Sequence, residues 1–124
     1  MTRPLTVTLD TIDHGTVTLP EPAWCTGHGW QPNPNLTDVT HYSVPVKASA
    51  MTEARGLVEL LVARISHAPY AVLQPEPHPV IAVTVDVEGT FNADDMGKIT
   101  QGLRAAAMRL DRLIGEVERL RGGR

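Results

Sequence analysis

The sequence predicts an α+β domain: an antiparallel sheet of four or five strands with one long C-terminal helix laid across one face. Three observations carry this. Apolar residues alternate with polar ones at Leu5, Val7 and Leu9, which is the period of a half-buried strand. A Val-rich run follows at Val80–Val87. Beyond it, Met96, Ile99, Leu103, Ala106, Leu110, Leu113, Val117 and Leu120 recur at helical spacing, with Ala107 and Ile114 widening the stripe. Strand faces and a single helical stripe leave one core between two layers, so residues 1–124 are read as a single domain.

In chain order, a β-hairpin is expected over residues 4–20. Ile12–Gly15 supplies the turn, Val17 and Leu19 resume the alternation, and Pro20 and Pro22 end the ladder because neither has an N–H to donate. Residues 21–37 form a Pro- and Gly-rich loop, long enough to need something that organises it. The remaining strands fall within 38–87, the first over Asp38–Val46. Residues 52–67 are ambiguous. Thr52-Glu53-Ala54-Arg55 reads as a helix start, and Leu57, Leu60, Leu61 and Ile65 fit a helix, yet Leu57–Ile65 also fits a strand buried on both faces. The strand is favoured, since the Val80 run needs a neighbour.

The helix is expected over 92–121. Asn92 is the N-cap, Asp94 and Asp95 suit the positive end of the dipole, Phe91 and Met96 are spaced as a hydrophobic staple, and Gly122-Gly123 stop it. Gly97, Gly102 and Ala105–Ala107 keep its first half slim enough to lie close on a sheet. At 1.5 Å per residue it runs about 45 Å, against about 27 Å for an eight-residue strand. Its last turns therefore either fray into solvent or pair with a protein partner or a second copy, through Leu110, Leu113, Val117 and Leu120.

With 42% hydrophobic and 20% charged residues the composition is that of a globular chain. No apolar run nears the roughly 20 residues that cross a bilayer, and Met1–Asp10 lacks the apolar stretch of a secretory signal, so a cytoplasmic protein away from membranes is expected. Residues 1–97 carry four basic side chains against eleven acidic, and residues 98–124 carry seven basic against three acidic. This basic helix has no aromatic residues to stack on bases, which argues against nucleic acid.

The densest chemistry is Trp24-Cys25-Thr26-Gly27-His28. The only cysteine excludes an intrachain disulfide. A Cys and a His three apart in a Gly-containing loop can converge on one ion, and His41 follows thirteen residues later. Cys25, His28 and His41, with His14 or Asp38 as fourth ligand, make an acceptable zinc set; no other cofactor is indicated. Two alternatives stand beside it: Cys25 as a small buried hydrophobe beside Trp24, with the histidines bonded locally, and Cys25 as a nucleophile with His28 or His41 as base and Asp38 as orienter. No oxyanion loop or phosphate-binding motif accompanies the last. His67 and His78, beside prolines at strand ends, need no special role.

The order of hairpin, Trp-Cys25-x-x-His28, Asp38-x-x-His41, Ala68-Pro69-Tyr70, Val-rich strand and long Ala/Leu/Arg helix resembles a family of small uncharacterised actinobacterial proteins of streptomycete-type chromosomes, phages and mobile elements. The resemblance implies that Cys25, His28, Asp38 and His41 act together, and it supports an extended 57–66; it implies no activity. The function expected is a non-enzymatic binding or accessory module, its loop pinned by a structural zinc and the chain dimeric through the helix. A small thiol- or metal-dependent enzyme built on Cys25 with His28 or His41 is the alternative. Sedimentation across a range of concentrations checks the pairing of helices: a dimer mass is expected, and a mass of one chain at every concentration removes it.

Overall fold

A computed structural model describes residues 5–122. It is an α+β fold with a two-stranded antiparallel sheet, a four-stranded sheet and one long C-terminal helix packed on the Val46–Thr52 strand of the larger sheet. Pro4, the expected start of the hairpin, and Gly123, of the pair expected to stop the helix, lie outside the described residues. Two compact units are present. One holds the chain up to Val44 together with Ile65–Val80, and the other holds Pro45–Arg64 together with the chain from Ile81.

The first unit opens with the expected hairpin, β1 (Thr6–Thr11) against β2 (Gly15–Pro20), in register from Thr6↔Pro20 to Thr11↔Gly15. Gly15 takes φ +61°, the left-handed conformation that ends a three-residue hairpin loop. Thr11 Oγ1 donates to the Gly15 carbonyl (2.8 Å) and accepts the His14 N–H (3.0 Å), which closes the turn from its side-chain end. The stretch expected as one strand over Asp38–Val46 is divided. A 3-10 turn occupies Leu36–Asp38, and β3 is only His41–Tyr42, paired with His67 and Ser66 at the end of the Gly56–His67 strand. Backbone groups that a ladder would use are taken locally: the Asp38 carbonyl accepts from Gln31 Nε2 (2.6 Å) and Thr40 Oγ1 (2.9 Å), and the Val39 N–H reaches Leu36.

The second unit contains β4 (Val46–Thr52), the Gly56–Arg64 part of β5 (Gly56–His67), the Ile81–Val85 part of β6 (Val80–Val85) and α1 (Ala93–Arg121). The ambiguous segment is therefore a strand. Thr52–Gly56 is its hairpin turn, a second copy of the Thr-x-x-x-Gly device: Thr52 Oγ1 donates to the Gly56 carbonyl (2.9 Å), accepts the Arg55 N–H (3.1 Å), and Gly56 has φ +66°. Strand β4 escapes the sequence reading because its inward residues, Ala48, Ala50 and Thr52, are small; the period-2 alternation with Lys47, Ser49 and Met51 is nevertheless present. The double burial of β5 has a local cause. The register shifts between Ala48 and Ser49, leaving Leu60 as an extra residue, so Leu60 and Leu61 are both about 1% exposed.

Helix α1 starts where expected, with Asn92 Oδ1 accepting the Asp95 N–H (2.8 Å). Its buried line is Asp95, Ile99, Gly102, Ala106, Leu113 and Val117. Met96 and Ile114 are exposed, and Phe91 packs against the Ala50–Leu60–Ile99 core rather than serving only the helix start. Gly102 is the close approach: a Cβ there would stand 2.5 Å from Leu60 Cδ1 and 3.1 Å from the Ser49 carbonyl, whereas Gly97 faces open space. Leu113 and Val117, expected to face a partner, are buried within the chain itself, and Leu110 and Leu120 are half-buried.

Asp95 ties the helix to the β4–β5 turn. Its carboxylate, 1% exposed, accepts the Glu53 N–H (2.8 Å) and the Ala54 N–H (3.2 Å). The Glu53 bond holds the carboxyl below its ordinary value; burial opposes this, and Ala54 and Lys98 assist. A depressed folded-state pKa gives stability that is complete above the unfolded pKa and lost as pH falls through the folded one. Thermal unfolding followed from pH 7 down to 2 is expected to show this acid loss in the wild type and a flatter profile, with a lower midpoint at neutral pH, in Asp95→Asn. Leu60→Ala is expected to cost about 2–5 kcal/mol in denaturant unfolding.

Candidate metal centre

All the groups of the centre lie within the first unit. Glu21 directly follows β2, where its N–H donates to the Leu5 carbonyl (2.9 Å) and so extends the hairpin ladder by one bond. The chain then turns: the Cys25 N–H reaches the Pro22 carbonyl (3.0 Å), and the Thr26 N–H and Oγ1 both donate to the Tyr42 carbonyl (2.9 and 3.1 Å). This last pair of bonds fixes the Cys25 loop beside β3, which carries His41. Gly27, at φ +105°, lets the chain double back so that His28 faces Cys25, and its N–H donates to Cys25 Sγ (3.4 Å). The rest of the loop is held to the hairpin turn by the Ile12 N–H on Pro34 (3.0 Å) and the Leu36 N–H on Asp13 Oδ1 (2.9 Å).

The result is a cluster of four ligand atoms, from Glu21, Cys25, His28 and His41, all within 4.8 Å of one another. Cys25 Sγ lies 3.6 Å from His28 Nε2, and Glu21 Oε1 lies 2.9 Å from His28 Nε2 and 2.8 Å from His41 Nδ1. The two imidazoles meet edge to face, 5.1 Å apart at 76°, and Trp24 covers His41 edge-on at 6.2 Å. Both imidazole side chains are almost wholly buried, 2% and 3% exposed, and the Glu21 side chain 14%.

These donors fit a tetrahedral zinc. Bond lengths of about 2.3 Å to sulfur and about 2.0–2.1 Å to nitrogen imply an S···N edge of about 3.5 Å and an N···O edge of about 3.3 Å. The sulfur–nitrogen separation is already of that size, and the two N···O separations are shorter by about half an ångström, the reach of one carboxylate rotation. His41 Nδ1 is the informative atom. His28 Nδ1 is likewise buried without a hydrogen bond, while His41 Nδ1 is buried and lies 2.8 Å from Glu21 Oε1 without a well-directed one. A buried polar atom without a partner costs stability, and a metal ion at the centre of the cluster would satisfy it.

Protonation in the metal-free protein follows from burial and from Glu21. Burial raises the Glu21 carboxyl, but the bonds to His28 and Cys25 and the charges of the two imidazoles outweigh it, leaving it below its usual value. Burial pulls His41 down against the pull of Glu21, favouring neutral imidazole. Burial, with the nearby Glu21 carboxylate, pushes the Cys25 thiol up against the Gly27 N–H. A raised thiol is a poor nucleophile at neutral pH.

The structure thus brings together three of the sequence candidates, Cys25, His28 and His41, and adds Glu21 as the fourth group. The two residues expected as fourth ligand are elsewhere. His14 is exposed in the β1–β2 turn with its Nδ1 3.1 Å from Asp13, and Asp38 lies in the 3-10 turn, outside the cluster. Glu21 is not recognisable as a ligand from the sequence because it sits between two prolines at the end of a strand, where an acidic residue looks like solvated punctuation. The available signal was its place four residues before Cys25, immediately after a hairpin whose end it would share.

Fold and site define a small α+β domain with a Glu/Cys/His/His cluster, its two imidazoles buried and its carboxylate and thiol half-buried, that could hold a metal ion. The chain belongs to the family of the domain of unknown function DUF6907, whose model matches residues 6–119. No curated protein and no solved structure gives a match. None of the helices among the described residues is long and apolar enough to cross a membrane.

With its pKa raised, Cys25 in metal-free protein is expected to react with iodoacetamide at pH 7 more slowly than in the same chain unfolded in urea. A faster reaction in the folded chain would restore the nucleophile reading.

Proposed function

We propose that the chain is a non-catalytic binding or accessory domain whose hairpin and loop are folded around a structural zinc held by Glu21, Cys25, His28 and His41. One observation carries this reading: four mutually adjacent donors, two of them buried and two half-buried, converge in a unit with few buried apolar side chains among its described residues. Of the buried apolar residues among those described, Leu19, Val39 and Ile65 belong to the first unit and nine belong to the second. A unit of that size with so few buried apolar groups needs a cross-link. When bound, zinc supplies four such links and takes the thiol as thiolate.

The chain's own residues do the rest. The Gly27 N–H stabilises charge on the sulfur, Glu21 neutralises the centre, and Trp24 shields His41. Four protein donors close the coordination sphere, which is the mark of structural rather than catalytic zinc. Within this reading a protein partner supplies the function, and the helix contributes less by self-association than its sequence suggests, because Leu113 and Val117 are already covered.

Elemental analysis of the purified full chain is expected to give one zinc per chain. Chelation is expected to lower the unfolding midpoint by roughly 10 °C or more, and Cys25→Ser to lose the metal with the same effect. Protein that binds no zinc, and whose amide signals over residues 20–44 do not change when zinc is added, would overturn the reading. The metal-dependent enzyme is separated by cobalt substitution: intense four-coordinate absorption lost in Glu21→Gln places Glu21 on the metal, whereas a five-coordinate spectrum unaffected by that change marks an open position.

A further inference from the structure

We propose that the second unit carries a binding site for a small amphipathic anion, in the groove between the start of β4 and the distal half of α1. The proposal is independent of the zinc reading, since the groove contains none of the cluster residues. A cavity of about 710 Å³ opens there, within the range of roughly 300–1,000 Å³ typical of small-ligand sites. Its apolar lining is Val46 and the buried Leu113. Around these stand Lys47, Arg109, Arg112 and Arg119, four cations against one carboxylate, Glu116.

The cations are not equivalent. Arg119 is paired with Glu116, and Arg109 donates to the Lys47 carbonyl (2.5 Å), which anchors its guanidinium at the rim. The Arg112 guanidinium and the Lys47 ammonium engage no hydrogen bond or ion pair among the described residues. Two uncompensated cations beside an apolar lining are complementary to a carboxylate or phosphate attached to an apolar body. A purely apolar ligand would leave the charges unused, and a free anion would leave Val46 and Leu113 uncovered. The negative end of the helix dipole does not cancel this attraction: its effect is confined to about the last turn, and Arg112 lies nine residues before the final helical residue, Arg121. Nucleic acid would offer the anions but no body to fill the apolar lining, and the groove has no aromatic side chain to stack on a base.

The test titrates the full chain with decanoate and with decyl phosphate, below their micelle concentrations, by amide NMR and calorimetry. Decanol, inorganic phosphate and a short DNA duplex are the comparison probes. Saturable shifts at Val46, Leu113 and Gly115 are expected for one or both amphiphiles, the tighter of the two identifying the head group, with decanol and inorganic phosphate each binding at least about tenfold more weakly. Arg112→Ala and Lys47→Ala, both at exposed positions, are expected to weaken binding by roughly three- to tenfold each. Arg104→Ala, which removes an exposed cation outside the groove, is expected to leave it unchanged. Equal affinity for decanol or for inorganic phosphate, an equal loss in Arg104→Ala, preferential binding of the duplex, or the absence of shifts at the groove would each overturn the proposal.

Discussion

One carboxylate oxygen, Glu21 Oε1, lies within 3 Å of a nitrogen on each of two buried imidazoles, and the arrangement of the first unit depends on it. Burying a carboxylate and two imidazoles carries a desolvation cost that packing alone cannot offset here, because few apolar side chains surround them. Attraction between Glu21 and the imidazoles supplies part of the compensation, and a metal ion drawing on all four donors would supply more. The backbone bonds of the loop, Cys25 to Pro22, Thr26 to Tyr42 and Ile12 to Pro34, are arranged around that convergence. They keep a Pro-rich segment in one conformation without regular secondary structure.

The second unit solves its problem conventionally, with Ala50, Leu60 and Ile99 at the centre of its core and a slim helix face at Gly102. Even so, a buried carboxylate does comparable work there. Asp95 accepts two N–H groups from a turn more than forty residues earlier in the chain, which fixes where the helix begins relative to β4 and β5. In both units an acidic side chain is used as an acceptor for groups distant in sequence, and in both its charge is stabilised by specific hydrogen bonds rather than by solvent.

Much of the fold is legible from local patterns. The first hairpin follows from alternation plus Gly15, and α1 from its stripe plus Asn92. The two Thr-x-x-x-Gly turns are also a local signal, since threonine closes the loop through its hydroxyl and glycine alone takes the left-handed conformation without strain; at Thr52 the pattern was masked by a plausible helix start. What resisted reading was non-local. Strand β4 shows only small inward residues because Gly102 and its neighbours bring the helix close, and the bulge at Leu60 makes β5 look like a segment buried on every side.

The sequence by itself determined the α+β class, the position of the helix, the site's Cys-x-x-His core and the presence of His41 near it, because each depends on residues close together in the chain. Only the tertiary structure decided that Glu21, rather than His14 or Asp38, completes the cluster, and that Leu113 and Val117 are covered by the chain itself. The first outcome depends on which backbone segments are hydrogen-bonded side by side, since the Leu5–Glu21 bond and the Thr26–Tyr42 bonds bring the end of β2, the Cys25 loop and β3 to one point, and the second depends on the packing of α1 against β4. Spacing along the chain says which donors can reach an ion. The register of the backbone says which of them converge.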